Sequence, residues 1–130
     1  TGTLTAGLVS AGTGPASKLA ITEEYNGTAW TESGDMNEAR RQTSASGSQT
    51  AALYAGGSGP YTASCENYDG TSWRTTASMT TARGYLAGLG GAGSSTSALA
   101  FGGSTPSVTN ATEEFTGGTT TLNLKTITDS

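Results

Sequence analysis

Two stretches of the sequence share one pattern, Glu24-Tyr25-Asn26-Gly27-Thr28-Ala29-Trp30 and Glu66-Asn67-Tyr68-Asp69-Gly70-Thr71-Ser72-Trp73. The tyrosines of the two stretches lie 43 residues apart, and so do the tryptophans. The same offset relates Met36 to Met79 and Arg40 to Arg83, each inside a Met-x-x-Ala-Arg frame. Agreement at one offset over so many positions indicates an internal repeat.

A third copy of the pattern begins at Glu113-Glu114-Phe115-Thr116-Gly117, with Phe115 in the place of the tyrosine. Phe115 follows Tyr68 by 47 residues, and we place the additional residues in an insertion near Gly93 to Ser97. The chain is therefore predicted to hold three units. Residues 1–36 form a partial unit with strands two to four, residues 37–79 a complete unit, and residues 80–130 a complete unit with a terminal strand.

Each complete unit is predicted to contain four short strands. In the middle copy these are Arg41 to Gly47, Thr50 to Ala55, Ala63 to Tyr68 and Thr71 to Thr76. The second strand is apolar without alternation, which is typical of a strand covered on both faces; Ala6 to Ala11 and Ser97 to Phe101 are its counterparts. Leu122 to Ile127 alternates as a terminal strand. The sequence therefore predicts an all-β fold without helices.

Two dipeptides, Asn26-Gly27 and Asp69-Gly70, join the third and fourth strands of the first two units. Such pairs favour two-residue type I′ turns, in which both central residues have positive φ. The sequence therefore predicts two tight hairpins of this type.

Four-stranded units of about 40 to 50 residues are typical of β-propeller blades that pack face to face. Thr, Gly, Ala and Ser supply 79 of the 130 residues, and small side chains suit the narrow space near a propeller axis. The chain holds about 2.75 units, fewer than the roughly four that a closed propeller needs. We expect an incomplete ring, completed by the rest of a longer polypeptide or by other copies. The first of these is favoured because Thr1 falls within a repeat.

The combination of Gly56-Gly57, Tyr68, Trp73, Met79 and Arg83 resembles the kelch repeat. The resemblance implies a kelch-type β-propeller and structural roles at the repeated positions. These positions are Tyr25, Trp30, Met36, Arg40, Gly56, Gly57, Tyr68, Trp73, Met79, Arg83, Gly102, Gly103 and Phe115. The chain departs from the pattern at Gly12-Thr13-Gly14, in place of Gly-Gly, and at Thr119-Thr120-Thr121, in place of the tryptophan.

The Thr-, Ala- and Gly-rich form of the repeat is also similar to kelch-like repeats in virion structural and tail-fibre proteins of tailed phages from aquatic bacteria. This similarity implies a virion component that presents loops to a bacterial surface glycan or acts as a rigid spacer. A secreted or cell-surface bacterial filament or lectin-like module is the alternative. An intracellular kelch adaptor comes third, because the chain lacks the charged loops that bind peptide partners.

The composition argues against several classes of function. The chain has no His and one Cys, so it has no imidazole base, no His or multi-Cys zinc site and no internal disulfide. A formal charge of −4 with dispersed cations argues against nucleic acid, and no apolar run approaches a membrane span. We expect no cofactor, no metal and no enzyme activity. A glycosidase built on two carboxylates remains an alternative.

The paired carboxylates Glu23-Glu24 and Glu113-Glu114 recur at one point of the repeat, which indicates a structural position. Adjacent strand residues point to opposite faces, so a pair cannot address one site. Arg40 and Arg83 are expected to donate hydrogen bonds to carbonyls of the neighbouring unit. The repeated Tyr and Trp residues are expected in the core between units.

Residues outside the repeat are better candidates for ligand binding, because loops on a rigid scaffold often carry function. Tyr61 lies in the loop Gly57-Ser58-Gly59-Pro60-Tyr61, Tyr85 follows the turn at Arg83-Gly84, and Arg41 adjoins Arg40. We predict Tyr61, Tyr85 and Arg41 as ligand-binding residues. Cys65 is expected to be a buried structural thiol.

Overall fold

The computed structural model describes residues 1–86, 88–89, 94–117 and 122–127. Within these ranges the chain forms strands and no helix, so no described helix is long and apolar enough to cross a membrane. The strands are β1 (Gly2–Thr3), β2 (Ala6–Ser10), β3 (Thr22–Tyr25), β4 (Trp30–Ser33), β5 (Ser44–Gly47), β6 (Ala52–Ala55), β7 (Cys65–Tyr68), β8 (Trp73–Thr76), β9 (Gly88–Leu89), β10 (Ser97–Phe101), β11 (Thr112–Gly117) and β12 (Leu122–Ile127). The predicted all-β class is confirmed.

Consecutive strands form three antiparallel sheets of four strands each in this part of the chain. The first sheet holds β1 to β4, the second β5 to β8 and the third β9 to β12. Each strand pairs with its sequence neighbour, so every sheet is a simple meander. The first sheet has a short strand β1 that the sequence analysis did not include.

Strand bounds in the second sheet are shorter than predicted, mainly at the N-terminal ends. The chain at Arg41 makes one isolated bridge to Ser58, and Gln42 then adopts a φ of 55°, which interrupts the ladder before β5 begins at Ser44. The predicted strands Ser97 to Phe101 and Leu122 to Ile127 coincide with β10 and β12.

The two hairpins do not have the predicted turn type. Positive φ occurs at Gly27 and Gly70, at 93° and 95°, and not at Asn26 or Asp69. The Asn26 side-chain oxygen accepts hydrogen bonds from the N–H groups of the second and third residues that follow, and Asp69 does the same. Such Asx turns satisfy the loop amides through the side chain and compete with the type I′ geometry.

The second sheet packs between the other two. Side chains alternate between its two faces, and both faces are buried. One face meets the first sheet in a cluster formed by Leu8, Met36, Ala52, Tyr54, Tyr68 and Trp73. The opposite face meets the third sheet in a cluster formed by Leu53, Ala55, Cys65, Met79, Ala98, Ala100 and Phe115. The core therefore consists of two layers between three stacked sheets.

Aromatic contacts strengthen the layer between the first and second sheets. Trp73 meets Tyr54 edge to face at a centroid distance of 5.0 Å and Tyr68 at 4.9 Å. Such pairs contribute about 0.5–1.5 kcal/mol beyond the area that they bury. Trp30, the repeat counterpart of Trp73, is 51% exposed, so the prediction that it lies in a core between units is wrong. The cause is its position on the outer face of the first sheet, which no described sheet covers.

The repeated Gly-Gly pairs mark a tight turn after the second strand of each sheet. Gly56 and Gly102 have φ values of 67° and 66°, and Ala11 adopts 66° at the corresponding place in the first sheet. The first unit therefore keeps the turn although it lacks the Gly-Gly pair.

We expect Gly56→Ala to destabilise the fold by about 2 kcal/mol. A left-handed residue with a side chain costs about 1–2 kcal/mol, and the new Cβ would lie 2.5 Å from the carbonyl oxygen of Arg83. Gly27→Ala is the control, because Gly27 also has positive φ, at 93°, but its Cβ would meet no atom nearer than 3.6 Å. Urea denaturation of both variants measures the difference. Equal losses would contradict a role for the close approach.

Candidate functional site

The segment between the first and second sheets carries a buried arginine. Arg40 is 1% exposed, and its guanidinium donates to the Glu66 carboxylate at 2.6 Å and to the Ser64 and Gly56 carbonyls at 2.8 and 3.3 Å. Glu66, which is fully buried, also accepts the main-chain N–H of Asn37 at 2.8 Å. The pair therefore ties the connecting segment to the second sheet.

The segment between the second and third sheets repeats this geometry. Arg83 donates to the Glu113 carboxylate at 2.5 Å and to the Ala111 and Gly102 carbonyls at 2.8 and 3.4 Å. Glu113 accepts the main-chain N–H of Thr80 at 2.6 Å. Both buried carboxylates are thus occupied by internal partners.

Glu66 was not singled out by the sequence analysis, because it stands beside Asn67 rather than beside a second Glu. The available signal was the repeat offset, since Glu66 follows Glu23 by 43 residues. Glu23 is itself exposed and has no ion-pair partner among the described residues. The acidic position of the first unit therefore lacks the arginine that the other two have.

Neighbouring glutamates of the first sheet point to opposite faces. Glu23 lies on the outer face, whereas the Glu24 carboxylate accepts a hydrogen bond from the Tyr68 hydroxyl across the first interface. Burial and the bond to Glu24 raise the pKa of Tyr68 above its usual value. Glu24 therefore joins two sheets.

The three predicted ligand-binding residues lie along the junction between the second and third sheets. Arg41 accepts the N–H of Ser58 on its carbonyl at 2.9 Å, and the loop that follows Ser58 carries Tyr61. Tyr85 donates its N–H to the Gln42 carbonyl at 3.0 Å, one residue after Arg41. We call Arg41, Tyr61 and Tyr85 the loop surface.

Side chains of the loop surface differ in accessibility. Tyr85 is 57% exposed, whereas Tyr61 is half-buried and its hydroxyl lies 3.1 Å from the Ser104 hydroxyl. The Arg41 Nε atom is buried and has no hydrogen-bond partner among the described residues. An arginine donor without an internal partner suits a ligand that offers oxygen atoms.

A cleft of about 390 Å³ lies at the opposite ends of the second and third sheets. Its lining includes Thr50, Asn67, Asp69, Arg74 and Thr96. The main-chain N–H groups of Ser72 and then Thr71 lower the pKa of Asp69 below its usual value. The sequence did not predict this cleft, because it forms only where the hairpins of two sheets meet.

Cys65 and possible metal ligands add no chemistry to these sites. Burial raises the pKa of the Cys65 thiol to about 11, so the thiol is protonated and unreactive at neutral pH. In the described ranges no group of three or more Cys, Asp or Glu side chains could hold a metal ion.

Comparisons with known proteins add no assignment. No protein-family model matches the chain, and no curated protein matches it.

Proposed function

We propose that the chain is a non-enzymatic segment of a virion structural or appendage protein, of the tail-fibre kind, which presents loops for binding a bacterial surface glycan. In this proposal the three sheets are kelch-type propeller blades, and the units are 1–36, 37–79 and 80–130. The partners are other copies or the remainder of a longer chain, other virion proteins and a surface glycan. Its location is the virion, outside the cell.

The observation that carries the non-enzymatic part of this proposal is the repeated arginine–glutamate pair. Arg40 with Glu66 and Arg83 with Glu113 engage the two fully buried carboxylates of the described residues in joining one sheet to the next. A rigid stack that exposes loops is what a spacer or attachment module requires. The resemblance of the repeat to tail-fibre sequences supports the virion location.

A secreted or cell-surface filament or lectin-like module is the second candidate, and the loop surface would serve it equally. Mass spectrometry of purified particles and of cell envelopes, both from the organism that carries the gene, separates the two. Peptides of this chain in particles support the virion, and peptides only in envelopes support the alternative.

Tyr85→Ala and Tyr61→Ala are expected to weaken glycan binding by about 1–3 kcal/mol each, the share of a central aromatic in an interface. The measurement is adsorption of the purified chain to host cells or to their extracted surface polysaccharide. Arg74→Ala in the opposite cleft is the control and should leave adsorption unchanged.

Two results would contradict this binding site. Unaltered adsorption of both tyrosine variants would favour a spacer role, and a loss confined to Arg74→Ala would move the site to the cleft. Turnover of the glycan that disappears when one carboxylate is replaced would contradict the non-enzymatic proposal.

A further inference from the structure

Among the hydrogen bonds between the first and second sheets, two join side chains of β3 to aromatic side chains of the second sheet. The Trp73 indole N–H donates to the Thr22 hydroxyl at 2.9 Å, and the Tyr68 hydroxyl donates to Glu24. Thr22 and Glu24 project from the inner face of the first sheet, on β3. Tyr68 and Trp73 project from the facing side of the second sheet.

The interface between the second and third sheets does not repeat these bonds. Cys65 and Asn67 stand at the repeat positions of Thr22 and Glu24, and Phe115 stands at the position of Tyr68. None of these three positions therefore carries the hydroxyl or carboxylate group that its counterpart contributes to the first interface. The polar pairs are therefore specific to one kind of junction.

The same four residue types reappear on the two outer faces of the stack. The outer face of the first sheet carries Tyr25 and Trp30, the repeat counterparts of Tyr68 and Trp73. The outer face of the third sheet carries Thr112 and Glu114, the counterparts of Thr22 and Glu24. One outer face thus holds the donors of the first junction, and the other holds the acceptors.

Both outer faces also expose apolar side chains that correspond to buried ones elsewhere. Leu99 is 39% exposed, whereas its counterparts Leu8 and Leu53 are 3% and 0% exposed. Phe101 on the same face is 37% exposed, and Val9 on the first sheet is 46% exposed. Both faces therefore have the apolar surface, as well as the polar groups, of an inter-sheet contact.

We propose that a second copy of this chain docks its first sheet onto the outer face of the third sheet. In this contact Trp30 donates to Thr112 of the other copy, Tyr25 donates to Glu114, and Leu99 and Phe101 become buried. The contact joins two different faces, so repetition produces a ring if the rotation closes and a filament if it does not. The proposal goes beyond the proposed function, because it holds for a virion and for a cell-surface protein alike.

Glu23 makes this contact distinguishable from the internal ones. Its counterparts Glu66 and Glu113 are buried with an arginine from the preceding Met-x-x-Ala-Arg segment. Glu23, by contrast, has no ion-pair partner among the described residues. Covering an unpaired carboxylate is unfavourable, so neutralising Glu23 should strengthen the association.

Sedimentation velocity over a concentration series of the full chain tests the proposal. We expect concentration-dependent association, which Trp30→Ala weakens at least tenfold and Thr112→Val weakens severalfold, whereas Glu23→Gln strengthens it. Trp30→Phe combined with Thr112→Val should reduce the association free energy by less than the sum of the two single reductions, because each change removes the same hydrogen bond. Val108→Ser, at a 92% exposed loop residue, is the control for non-specific adhesion and should change nothing.

A folded chain that stays monomeric at every concentration would overturn the proposal, and so would association that is insensitive to both Trp30→Ala and Thr112→Val. Circular dichroism and urea denaturation show whether each variant is folded, which we expect because both positions lie on outer faces. Glycan adsorption by a monomer would leave the proposed function standing while this contact fails.

Discussion

Glu113→Gln is expected to destabilise the folded chain by about 3–5 kcal/mol, because it leaves the Arg83 guanidinium buried without a counter-charge. Arg83 is 1% exposed, and Glu113 is its one carboxylate partner among the described residues. The corresponding change at Glu66 should cost less, because Arg40 keeps a second carboxylate, Glu38, at 3.1 Å. The free energy of unfolding of a small domain is about 5–15 kcal/mol, so this substitution removes a large share of the stability.

Glu23→Gln is the matched control for this prediction. Glu23 occupies the same repeat position but is exposed and unpaired among the described residues, so its neutralisation should change the free energy of unfolding by less than about 0.5 kcal/mol. Urea denaturation followed by Trp fluorescence, at a fixed low protein concentration, measures both variants. A loss below about 1 kcal/mol for Glu113→Gln would show that Arg83 finds water or another partner.

The double variant Arg83→Met with Glu113→Leu separates the cost of an unpaired charge from the value of the pair itself. Apolar replacement of a whole buried ion pair is often neutral or stabilising. We therefore expect the double variant to recover most of the stability that Glu113→Gln loses. Equal losses in both variants would mean that the hydrogen bonds of Arg83 to Ala111 and Gly102, rather than charge balance, stabilise this junction.

The strands could be predicted from the sequence because their determinants are local. Turn residues and short apolar runs recur at one offset, and the observed strands begin or end within about three residues of the predicted places, in keeping with the usual uncertainty of strand ends. The turn type was not predictable in this way. Asn26 and Asp69 are compatible with either a type I′ turn or an Asx turn. The hydrogen bonds that their side chains accept from the following amides favour the Asx turn.

Features that depend on packing between units were harder to predict. Trp30 and Trp73 share a sequence pattern, yet one is exposed and the other is buried, because only Trp73 faces another sheet. Glu66 and Arg40 meet although 26 residues separate them. Periodicity shows which face a residue occupies, but not whether another sheet covers that face.

The leucine that the three sheets share makes this distinction measurable. Leu8, Leu53 and Leu99 pair with Glu24, Asn67 and Glu114 in their own sheets, so they occupy one position of the repeat. Leu53 is fully buried between the second and third sheets, whereas Leu99 is 39% exposed. The same substitution therefore removes the same atoms from two different environments.

Leu53→Ala is expected to destabilise the chain by about 2–5 kcal/mol, through lost burial and the cavity that remains. Leu99→Ala should cost less than about 1 kcal/mol in a dilute monomer, because much of its side chain already contacts water. Urea denaturation at low protein concentration measures both. If Leu99→Ala costs as much as Leu53→Ala in the dilute monomer, its outer face is already covered within one chain. If the cost appears only as concentration rises, a second copy provides the cover, since partner binding adds to apparent stability by mass action.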